Sequence, residues 1–380
     1  MTQLRWTTAG ESHGPALVGV IEGIPAGLEL EIDIIDRELA RRQRGYGRGG
    51  RMKIESDKVE LLSGTRAGRT LGSPIALRIA NLDQTIERLP VPTSARPGHA
   101  DLAGCQKLSA RDPRAVLERA SARETAMRVA LGAVARQVIE RFGVWVFGYV
   151  AELGGIAARA DAFVAAAPER ATRREASEFL GLDTEVEPRW RARVDGAKAA
   201  GDSLGGVFEV RAEGLAPGLG SYQSPSERLT SRLGGALFSI PAIKAVEFGL
   251  GFEAARCAGS EFHDPIVARD GAFGRFGRSS NRAGGLEGGM TTGETLLVRA
   301  AMKPISTLRR GVETVDFVTG ATVLSTYQRS DVTSVPAASV VGEALVALVL
   351  AQAFLEKFGG DSMEETARNH RGYLDQVERF

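Results

Sequence analysis

Ser12 and His13 stand side by side near the start of the chain, between Gly10 and Gly14. The segment fits the G-x-S-x-G pattern of serine hydrolases, in which the serine is a nucleophile. That pattern needs a helix directly after the serine, whereas Pro15 and a glycine-broken, β-rich segment follow here. The alternative is a binding loop, because glycines let the backbone and an imidazole approach a ligand closely.

A second histidine stands in a similar setting. His99 follows a glycine in the segment RPGHAD, and Arg96 precedes it by three residues, whereas His263 and His370 have no such surroundings. An imidazole near an arginine suits acid–base chemistry on an anion. The sequence has no H-E-x-x-H or comparable cluster, so it gives no support to metal catalysis.

Arginine dominates the basic residues of this chain. Of the 48 lysines and arginines, seven are lysines and the remaining 41 are arginines, and the formal net charge is +1. Arginine binds carboxylates and phosphates through two hydrogen bonds at once. A GC-rich genome would also raise the arginine content. The near-neutral charge argues against general binding of polyanions.

A basic stretch surrounds the segment GYGRGG at residues 45–50, and its arginines are Arg37, Arg41, Arg42, Arg44, Arg48 and Arg51. The segment matches G-x-G-x-x-G, but it ends a predicted helix instead of opening one, which argues against a dinucleotide site. Three interpretations stay open: a solvated helix face, a nucleic-acid patch, or a site for a small, densely anionic ligand. The aromatic content of 6% weakens the second, because few stacking platforms are available.

Further candidate anion ligands lie near a predicted helix start and in later loops. Arg119 and Arg123 flank Ser121, whose simplest role is to cap the helix, although a helix N-terminus also attracts anions. The segments NRAGGLEGGMTTG and KPIST add backbone donors, a lysine and hydroxyls, which suit a phosphate-bearing cofactor. An aspartate beside an arginine, as at Arg329 and Asp331, is usually an ion pair.

The elements that must position these residues are mixed in type. Strand patterns occur in LRWTT, ALVGVIE, VELLSG, SPIALRIAN, VWVFGYVAEL, GVFEVRAEG, AIKAVEF and TLLVRAAM. Helix patterns run from a cap at Asp33 to Gly45, and from a capping box at Ser121 to Gly143. We expect residues 157–200 to be helical and exposed, and Val340–Leu355 to be a buried core helix. The mixture lacks a βαβ rhythm and predicts an α+β fold.

Composition places the chain among soluble globular proteins, since its 380 residues are 43% hydrophobic and 25% charged. No linker or repeat is evident, so we expect one domain over residues 1–380. Cys105 and Cys257 form no C-x-x-C, and the chain starts without an apolar signal segment, which predicts a cytoplasmic protein. The longest apolar run is shorter than the ~20 residues of a membrane span, so we expect no membrane partner.

Several of these segments resemble the motifs of the chorismate synthase family. GESHGPALVGVIEGIP, ERASARETAMRVALGAV and RSDVTSVPAASVVGEA are similar to its three signature segments. GYGRG, RPGHAD, SNRAGGLEGGMTTGE and MKPIST match its other characteristic stretches, and all seven occur in the family's order. The resemblance extends from Arg5 to about Asp361. It implies a β-α-β sandwich, with helices enclosed between antiparallel sheets, and a homotetramer.

The resemblance also implies an activity: conversion of 5-enolpyruvylshikimate 3-phosphate to chorismate and phosphate, the last step of the shikimate pathway. This anti 1,4-elimination needs reduced FMN (FMNH2) without net redox change. NADPH would be needed only if the enzyme reduced its own flavin, and we expect an external source of reduced FMN, such as a flavin reductase. Nucleic acid is not an expected partner. The implied substrate ligands are Arg42, Arg48, Arg96, Arg123 and Arg329.

Roles for the acid–base groups follow from the resemblance as well. His13 would protonate or stabilise the reduced flavin, and His99 would donate a proton as phosphate leaves. Asp331, with Ser12 and Ser121 as relays, would help flavin N5 remove the C6 proton. The implied FMN ligands are Arg119, Ala120, Ser121, Pro241, Ala242, Gly288, Lys303, Pro304, Ile305, Ser306, Thr307 and Arg329. The positions that depart from the common family pattern are Leu108, Pro241 and Thr292.

Overall fold

The computed structural model describes residues 3–49, 56–163, 167–271, 273–325 and 331–380. The helices are α1 (Ile32–Gln43), α2 (Asp101–Leu108), α3 (Arg114–Ala120), α4 (Thr125–Glu140), α5 (Ala167–Ala176), α6 (Glu187–Ala199), α7 (Leu229–Phe238), α8 (Gly259–Phe262), α9 (Val335–Phe358) and α10 (Met363–Arg379). The strands are β1 (Arg5–Ala9), β2 (Ala16–Glu22), β3 (Val59–Leu61), β4 (Thr65–Arg66), β5 (Arg69–Thr70), β6 (Ile75–Ala80), β7 (Trp145–Leu153), β8 (Ile156–Ala157), β9 (Gly206–Glu213), β10 (Ile243–Phe248), β11 (Ile266–Gly271), β12 (Gly274–Arg278), β13 (Leu286–Glu287), β14 (Met290–Thr291), β15 (Leu296–Met302), β16 (Glu313–Val315) and β17 (Thr322–Leu324). Arg51 and Arg329 lie outside the described residues.

Two antiparallel sheets form the outer layers of the fold. The first has the strand order β1-β2-β6-β3, and the second has the order β10-β15-β9-β7-β8. Along β2 the side chains alternate between buried and half-buried positions, with Leu17 and Ile21 fully buried. Such alternation is typical of an antiparallel sheet that packs one face against a core. The strands predicted from sequence are confirmed in both sheets.

Helices α4 and α9 fill the space between the two sheets. Helix α4 packs on β2 and β6 of the first sheet, α9 packs on β7 and β9 of the second, and the helices pack along each other. At Gly132 of α4, a Cβ would lie 2.6 Å from the carbonyl oxygen of Ala344, so only glycine allows this close approach. The layers are therefore sheet, helices and sheet, as the α+β expectation and the sandwich require.

Helix α9 is the core helix that the apolar run predicts. By length and composition alone it could cross a membrane, yet 94% of its apolar window is buried inside the fold. Helix α9 contacts α4 on one side and the second sheet on the other. Because nearly all of its sides are buried, apolar side chains occupy nearly all of them. It begins at Val335 and ends at Phe358, beyond both ends of the predicted run.

Two predicted helix caps are wrong in detail. Asp33 lies inside the first turn of α1 and does not cap it. The Oγ of Ser121 accepts a hydrogen bond from the backbone N of Arg123 at 3.3 Å, which starts a 3₁₀ turn before α4. Glu124 forms no capping box, because its carboxylate pairs with Arg128 one turn later.

The expectation of an exposed helical region at 157–200 is only partly correct. Helices α5 and α6 are present, but Phe179 and Trp190 are fully buried with Val150 and Leu153 of β7 in a second apolar cluster. The indole N–H of Trp190 donates to the carbonyl oxygen of Ile156 at 2.8 Å. A few large aromatic side chains bury much area, so an average composition rich in Ala, Arg and Glu conceals them.

Glu343, in the middle of α9, is a buried carboxylate that joins several layers. Its Oε1 accepts from Arg41 of α1 at 2.7 Å and from Arg136 of α4 at 2.9 Å. Its Oε2 accepts from Arg174 of α5 at 2.9 Å and from the backbone N of Gly148 in β7 at 2.8 Å. Burial opposes ionisation, but the arginines outweigh it and hold the pKa of Glu343 at about 2.

Replacement of Glu343 by glutamine is expected to lower the free energy of unfolding by about 3–5 kcal/mol, the usual cost of breaking a buried ion pair. The neutral amide removes the negative charge that the guanidinium groups of Arg41, Arg136 and Arg174 share. The folded pKa lies below the ordinary value of 4.5, so this stabilisation is complete above pH 4.5 and is lost as the pH falls toward 2. Chemical denaturation at pH 7 and at pH 4 measures both effects.

Glu356→Gln is the matched control for this prediction. Glu356 lies on the same helix, but its partner Arg232 and its own carboxylate are partly exposed. Such a pair contributes about 0–1 kcal/mol, so the control variant should unfold close to the parent. Equal losses of stability in Glu356→Gln and Glu343→Gln would contradict the special role of Glu343.

Candidate active site

The loop between β1 and β2 holds Ser12 and His13 in a fixed conformation. The backbone N of Ser12 donates to the carbonyl oxygen of Glu118 at 3.1 Å. The side-chain amide of Asn81 donates to two carbonyl oxygens of the loop, at 3.0 and 2.8 Å. Gly10 has φ of 108°, and a Cβ there would overlap a carbonyl oxygen of β2, so the position requires glycine.

Glu118 of α3 holds the imidazole of His13. Its Oε2 accepts from the backbone N of His13 at 3.0 Å and lies 2.9 Å from Nδ1, while its Oε1 accepts from Arg114 at 2.9 Å. Burial alone would raise the pKa of Glu118, but the hydrogen bonds from His13 and Arg114 lower it. An ionised carboxylate only accepts, so Nδ1 carries hydrogen, and Nε2 lies 3.9 Å from Asp83.

The predicted relay serines are in contact. The Oγ of Ser121 donates to the Oγ of Ser12 at 3.2 Å, so the end of α3 meets the glycine-flanked loop. Arg119 donates to carbonyl oxygens of β1 and of the loop, at 2.9 and 3.1 Å, and Ala120 is half-buried beside it. Strand β2, not a helix, follows Ser12, so the structure lacks the nucleophile elbow of a serine hydrolase.

Three of the predicted substrate arginines gather around two carboxylates. Arg123 donates to Asp57 at 2.5 Å, Arg42 lies 3.6 Å from Asp57, and Arg48 lies 3.0 Å from Asp331. Burial lowers the pKa of Arg42 to about 10, with repulsion from Arg48 and Arg123 acting in the same direction. Arg41 and Arg42 are buried whereas Arg37 and Arg44 are exposed, so a solvated helix face describes only part of this stretch. Among the described residues, three guanidinium groups face two carboxylates here, an arrangement that suits an added anion.

Asp331 precedes α9 and connects it to the GYGRGG segment. Its Oδ1 accepts from the backbone N of Gly49 at 2.6 Å, and its Oδ2 accepts from Ser334 Oγ at 2.8 Å and contacts Arg48. Asp331 thus forms an ion pair with Arg48, whereas the pair expected between Asp331 and Arg329 falls outside the described residues. Arg329, predicted to contact both substrate and FMN, lies outside the described residues.

A second cluster forms around Asp101 at the start of α2. Its Oδ1 lies 2.5 Å from His99 Nδ1 and 3.0 Å from Arg96 Nη2, and its Oδ2 accepts from Arg96 Nε at 2.8 Å. Arg96 also donates through Nη1 to Thr307 Oγ1 at 3.4 Å. The fold thus brings the RPGHAD loop against the KPIST turn, and Ser306 lies beside the loop's glycine.

The turn at 303–307 adjoins the Pro241–Ala242 pair that was predicted to contact FMN. The backbone N of Lys303 donates to the carbonyl oxygen of Ala242 at 2.9 Å, and Ala242 has an unusual φ of 72°. Burial lowers the pKa of Lys303, and repulsion from Lys244 lowers it further. Two neighbouring ammonium groups beside hydroxyls suit a phosphate group. Lys244 was not predicted from sequence.

Gly288 lies apart from the other predicted FMN ligands. It occupies the turn between β13 and β14, and the carbonyl oxygen of the next residue accepts from the backbone N of Leu229, where α7 begins. Pro241 and Ala242 follow the other end of this 10-residue helix, about 15 Å away along its axis. Within one chain, the structure does not bring Gly288 to the 303–307 turn.

Sequence reasoning missed the groups that contact the predicted residues: the buried Asp57, Asn81, Asp101 and Glu118, and the half-buried Asp83. A single carboxylate in a helix or loop leaves no periodic signal. Asp101 stands two residues after His99 within one motif, and Glu118 stands three residues before Ser121, so motif proximity could have indicated these two. Nothing in the sequence around Asp57 distinguishes it.

Comparison with known proteins gives a single answer. Residues 4–355 match the family model of chorismate synthase. The chain is 53% identical to the chorismate synthase of Rubrobacter xylanophilus, with 98% of this chain and 97% of the relative covered. It is 52% identical to that of Thermobifida fusca, with 98% and 99% covered, and 51% identical to that of Geobacter sulfurreducens, with 99% and 100% covered. The chain belongs to the chorismate synthase family.

A solved structure supports the same conclusion for the fold. The crystal structure of a chorismate synthase, 42% identical in sequence, superposes with a TM-score of 0.83 and covers 100% of this chain and 99% of that chain. The α+β fold is thereby confirmed. As a member of the chorismate synthase family, the chain is an enzyme, a lyase that catalyses the last step of the shikimate pathway.

Glu118→Gln is expected to lower kcat/KM for chorismate formation by about 10- to 100-fold, part of what a positioned acid–base group contributes. The amide removes the charge that fixes the Nδ1–H of His13. Steady-state kinetics measure the effect. Glu213→Gln is the control, since Glu213 pairs with Arg170 at 2.7 Å outside the described site. Unchanged kinetics in a folded Glu118→Gln variant would show that His13 needs no such support.

Asp57→Asn is expected to lower the free energy of unfolding by about 3–5 kcal/mol, because Arg42 and Arg123 then lack a buried counter-charge. Inorganic phosphate should recover part of this loss, since an anion that binds only the folded protein stabilises it. Thermal unfolding with and without phosphate tests both points. Asp183→Asn, at a buried carboxylate near Arg159, should lose stability without this recovery.

Proposed function

We propose that the chain converts 5-enolpyruvylshikimate 3-phosphate to chorismate and phosphate by an anti 1,4-elimination that requires reduced FMN. The observation that carries this proposal is the grouping of Arg42, Arg48 and Arg123 around the carboxylates of Asp57 and Asp331 within the described part of the chain. The substrate bears two carboxylates and a phosphate. Guanidinium groups bind such oxyanions through paired hydrogen bonds, so a group of three arginines fits this substrate.

The residues around the 303–307 turn fit FMN. Lys303 and Lys244 present two positive charges, and Ser306 and Thr307 present hydroxyls, which together suit the phosphate of the cofactor. Arg96 extends from the neighbouring loop to Thr307, so cofactor and substrate ligands meet at this turn. When bound, reduced FMN would supply an electron-rich ring and a basic nitrogen to the elimination.

His99 is the group that we assign to the leaving phosphate. Its Nδ1 is engaged by Asp101, so Nε2 is the nitrogen that would take up a proton and pass it to the leaving phosphate. Arg96 lies beside it and would stabilise the negative charge that develops on the phosphate. Proton donation and charge stabilisation would then come from neighbouring side chains of one loop.

His13 is assigned to the flavin side of the reaction. Glu118 holds its Nδ1, so its Nε2 is directed to stabilise or protonate a reduced flavin. The hydroxyls of Ser12 and Ser121 are in contact and would relay a proton at this side. Asp331, one of the two described carboxylates of the arginine group, would assist removal of the C6 proton of the substrate, with these serines as relays.

We further propose that the enzyme works in the cytoplasm as a homotetramer, with residues 1–380 acting as one domain and reduced FMN supplied from outside. NADPH would be required only with an intrinsic flavin reductase activity. Family membership supports a soluble enzyme with a small-molecule substrate. Large apolar side chains at Phe252, Ile266 and Phe276 are more than half exposed, which is apolar surface that subunit contacts would cover.

Anaerobic turnover tests the proposed reaction directly. Purified protein is mixed with chemically reduced FMN and 5-enolpyruvylshikimate 3-phosphate, and the release of chorismate and phosphate is followed over time. We expect equal amounts of both products with reduced FMN and little product with oxidised FMN. A folded protein that binds flavin but releases no phosphate would refute the proposed reaction.

His13→Ala and His99→Ala should each lower turnover by roughly 10- to 10⁴-fold, the range expected for loss of an acid–base group. Both side chains are partly exposed, so the variants should remain folded. His263→Ala is the control, because His263 lies outside the described site. Parent-like turnover in either of the first two variants would remove that histidine from the mechanism.

A further inference from the structure

We propose that Asp101 is a positioning residue that sets the tautomer of His99 and, through the same carboxylate, the orientation of Arg96. The inference deepens the proposed function and rests on it for the roles of His99 and Arg96. The contacts that support it are properties of the protein alone. They predict which nitrogen of one imidazole carries hydrogen before any ligand is bound.

The carboxylate of Asp101 is 1% exposed, and four nitrogen atoms of His99 and Arg96 lie within hydrogen-bond distance of it. On one side, Oδ1 lies 2.5 Å from His99 Nδ1 and accepts from Arg96 Nη2 at 3.0 Å. On the other side, Oδ2 accepts from Arg96 Nε at 2.8 Å and from the backbone N of Arg96 at 3.1 Å. A single buried group therefore contacts both the proposed acid and a proposed substrate ligand.

The contacts leave one consistent arrangement of hydrogens. The hydrogen bonds from His99 and Arg96 lower the pKa of Asp101 although burial would raise it, so the carboxylate is ionised and only accepts. Arg96 Nη2 also lies 3.0 Å from His99 Nδ1, but a lone pair on Nδ1 would face the carboxylate at 2.5 Å. Nδ1 therefore carries hydrogen, and Nε2 of the neutral imidazole is the acceptor.

The same carboxylate directs Arg96. Its Nε and Nη2 form a two-point pair with Asp101, which fixes the plane of the guanidinium and leaves Nη1 to reach Thr307. Lys303 also lies beside this loop, since a Cβ at Gly98 would lie 3.7 Å from its Nζ. Displacement of Asp101 would thus disturb an acid and an anion ligand together.

The substitution Asp101→Asn should reverse the tautomer of His99. The amide oxygen of the asparagine can accept from the backbone N and the Nε of Arg96, as Oδ2 of Asp101 does. The NH₂ group then faces His99 Nδ1. A donor at this place requires Nδ1 to accept, so hydrogen moves to Nε2. The substitution also removes the negative charge that favours a protonated imidazole beside it.

Solid-state NMR of sedimented protein labelled with ¹⁵N-histidine measures the tautomer without cofactor or substrate. The chain has four histidines, so His99→Gln identifies the signals of His99. We expect hydrogen on Nδ1 in the parent protein at neutral pH and on Nε2 in Asp101→Asn. A parent protein with hydrogen on Nε2 and none on Nδ1 would overturn the proposal, whether or not any variant folds.

Kinetics provide the second readout. Asp101→Asn should lower kcat by about 10- to 100-fold and move the alkaline limb of the kcat/KM profile to lower pH. Asp183→Asn is the matched control: Asp183 is buried, accepts from the backbone N of Arg159 at 3.0 Å and lies 3.4 Å from its Nε, as Asp101 does with Arg96. The control should leave the pH profile unchanged.

The outcomes separate this inference from the proposed function. A folded Asp101→Asn variant with the parent tautomer and the parent pH profile would overturn the positioning role, whatever the reaction. A parent protein that shows the expected tautomer but no chorismate formation would refute the proposed reaction and leave the contact between Asp101 and His99 established.

Discussion

The pairing of buried carboxylates with arginines is the constraint on which this structure depends. An ionised Glu343 in the middle of an apolar helix would be very costly without its partners. Its contacts with Arg41, Arg136 and Arg174 hold α1, α4 and α5 against α9. Arg42 follows Arg41 directly, and Asp331 precedes the same α9. The ion cluster that fixes the layers therefore also fixes part of the active site.

Within the site, the same physical rule recurs at a smaller scale. Asp57 holds Arg42 and Arg123, and Glu118 and Asp101 each engage the Nδ1 of a histidine. A buried carboxylate costs desolvation energy that only charged or hydrogen-bonded neighbours offset, so each pair has a restricted geometry. The two imidazoles consequently present the same nitrogen, Nε2, outward. Rigid presentation of acid–base groups is what efficient proton transfer requires.

The two halves of the site are joined by a short connection before β9. The Oγ of Ser203 donates to the carbonyl oxygen of Ile305 in the 303–307 turn at 2.7 Å. The backbone N of Leu204 donates to the carbonyl oxygen of Val332, next to Asp331, at 2.8 Å. The arginine group and the His99 loop are thus attached to one strand of the second sheet. A multiply charged ligand can then be held from both sides by a scaffold that does not deform.

The sequence by itself determined the family, the α+β class, most strands and the core helix, and it supplied the candidate site residues, because motifs and periodicity are local properties of the chain. Only the tertiary structure decided which carboxylate faces each arginine or histidine, since Asp57 and Arg123 are separated by 66 residues. It also showed that Arg41 and Arg42 are buried, because charge runs look alike whether they face solvent or a buried counter-ion. Burial and partner choice depend on packing between distant segments, and no local pattern encodes them.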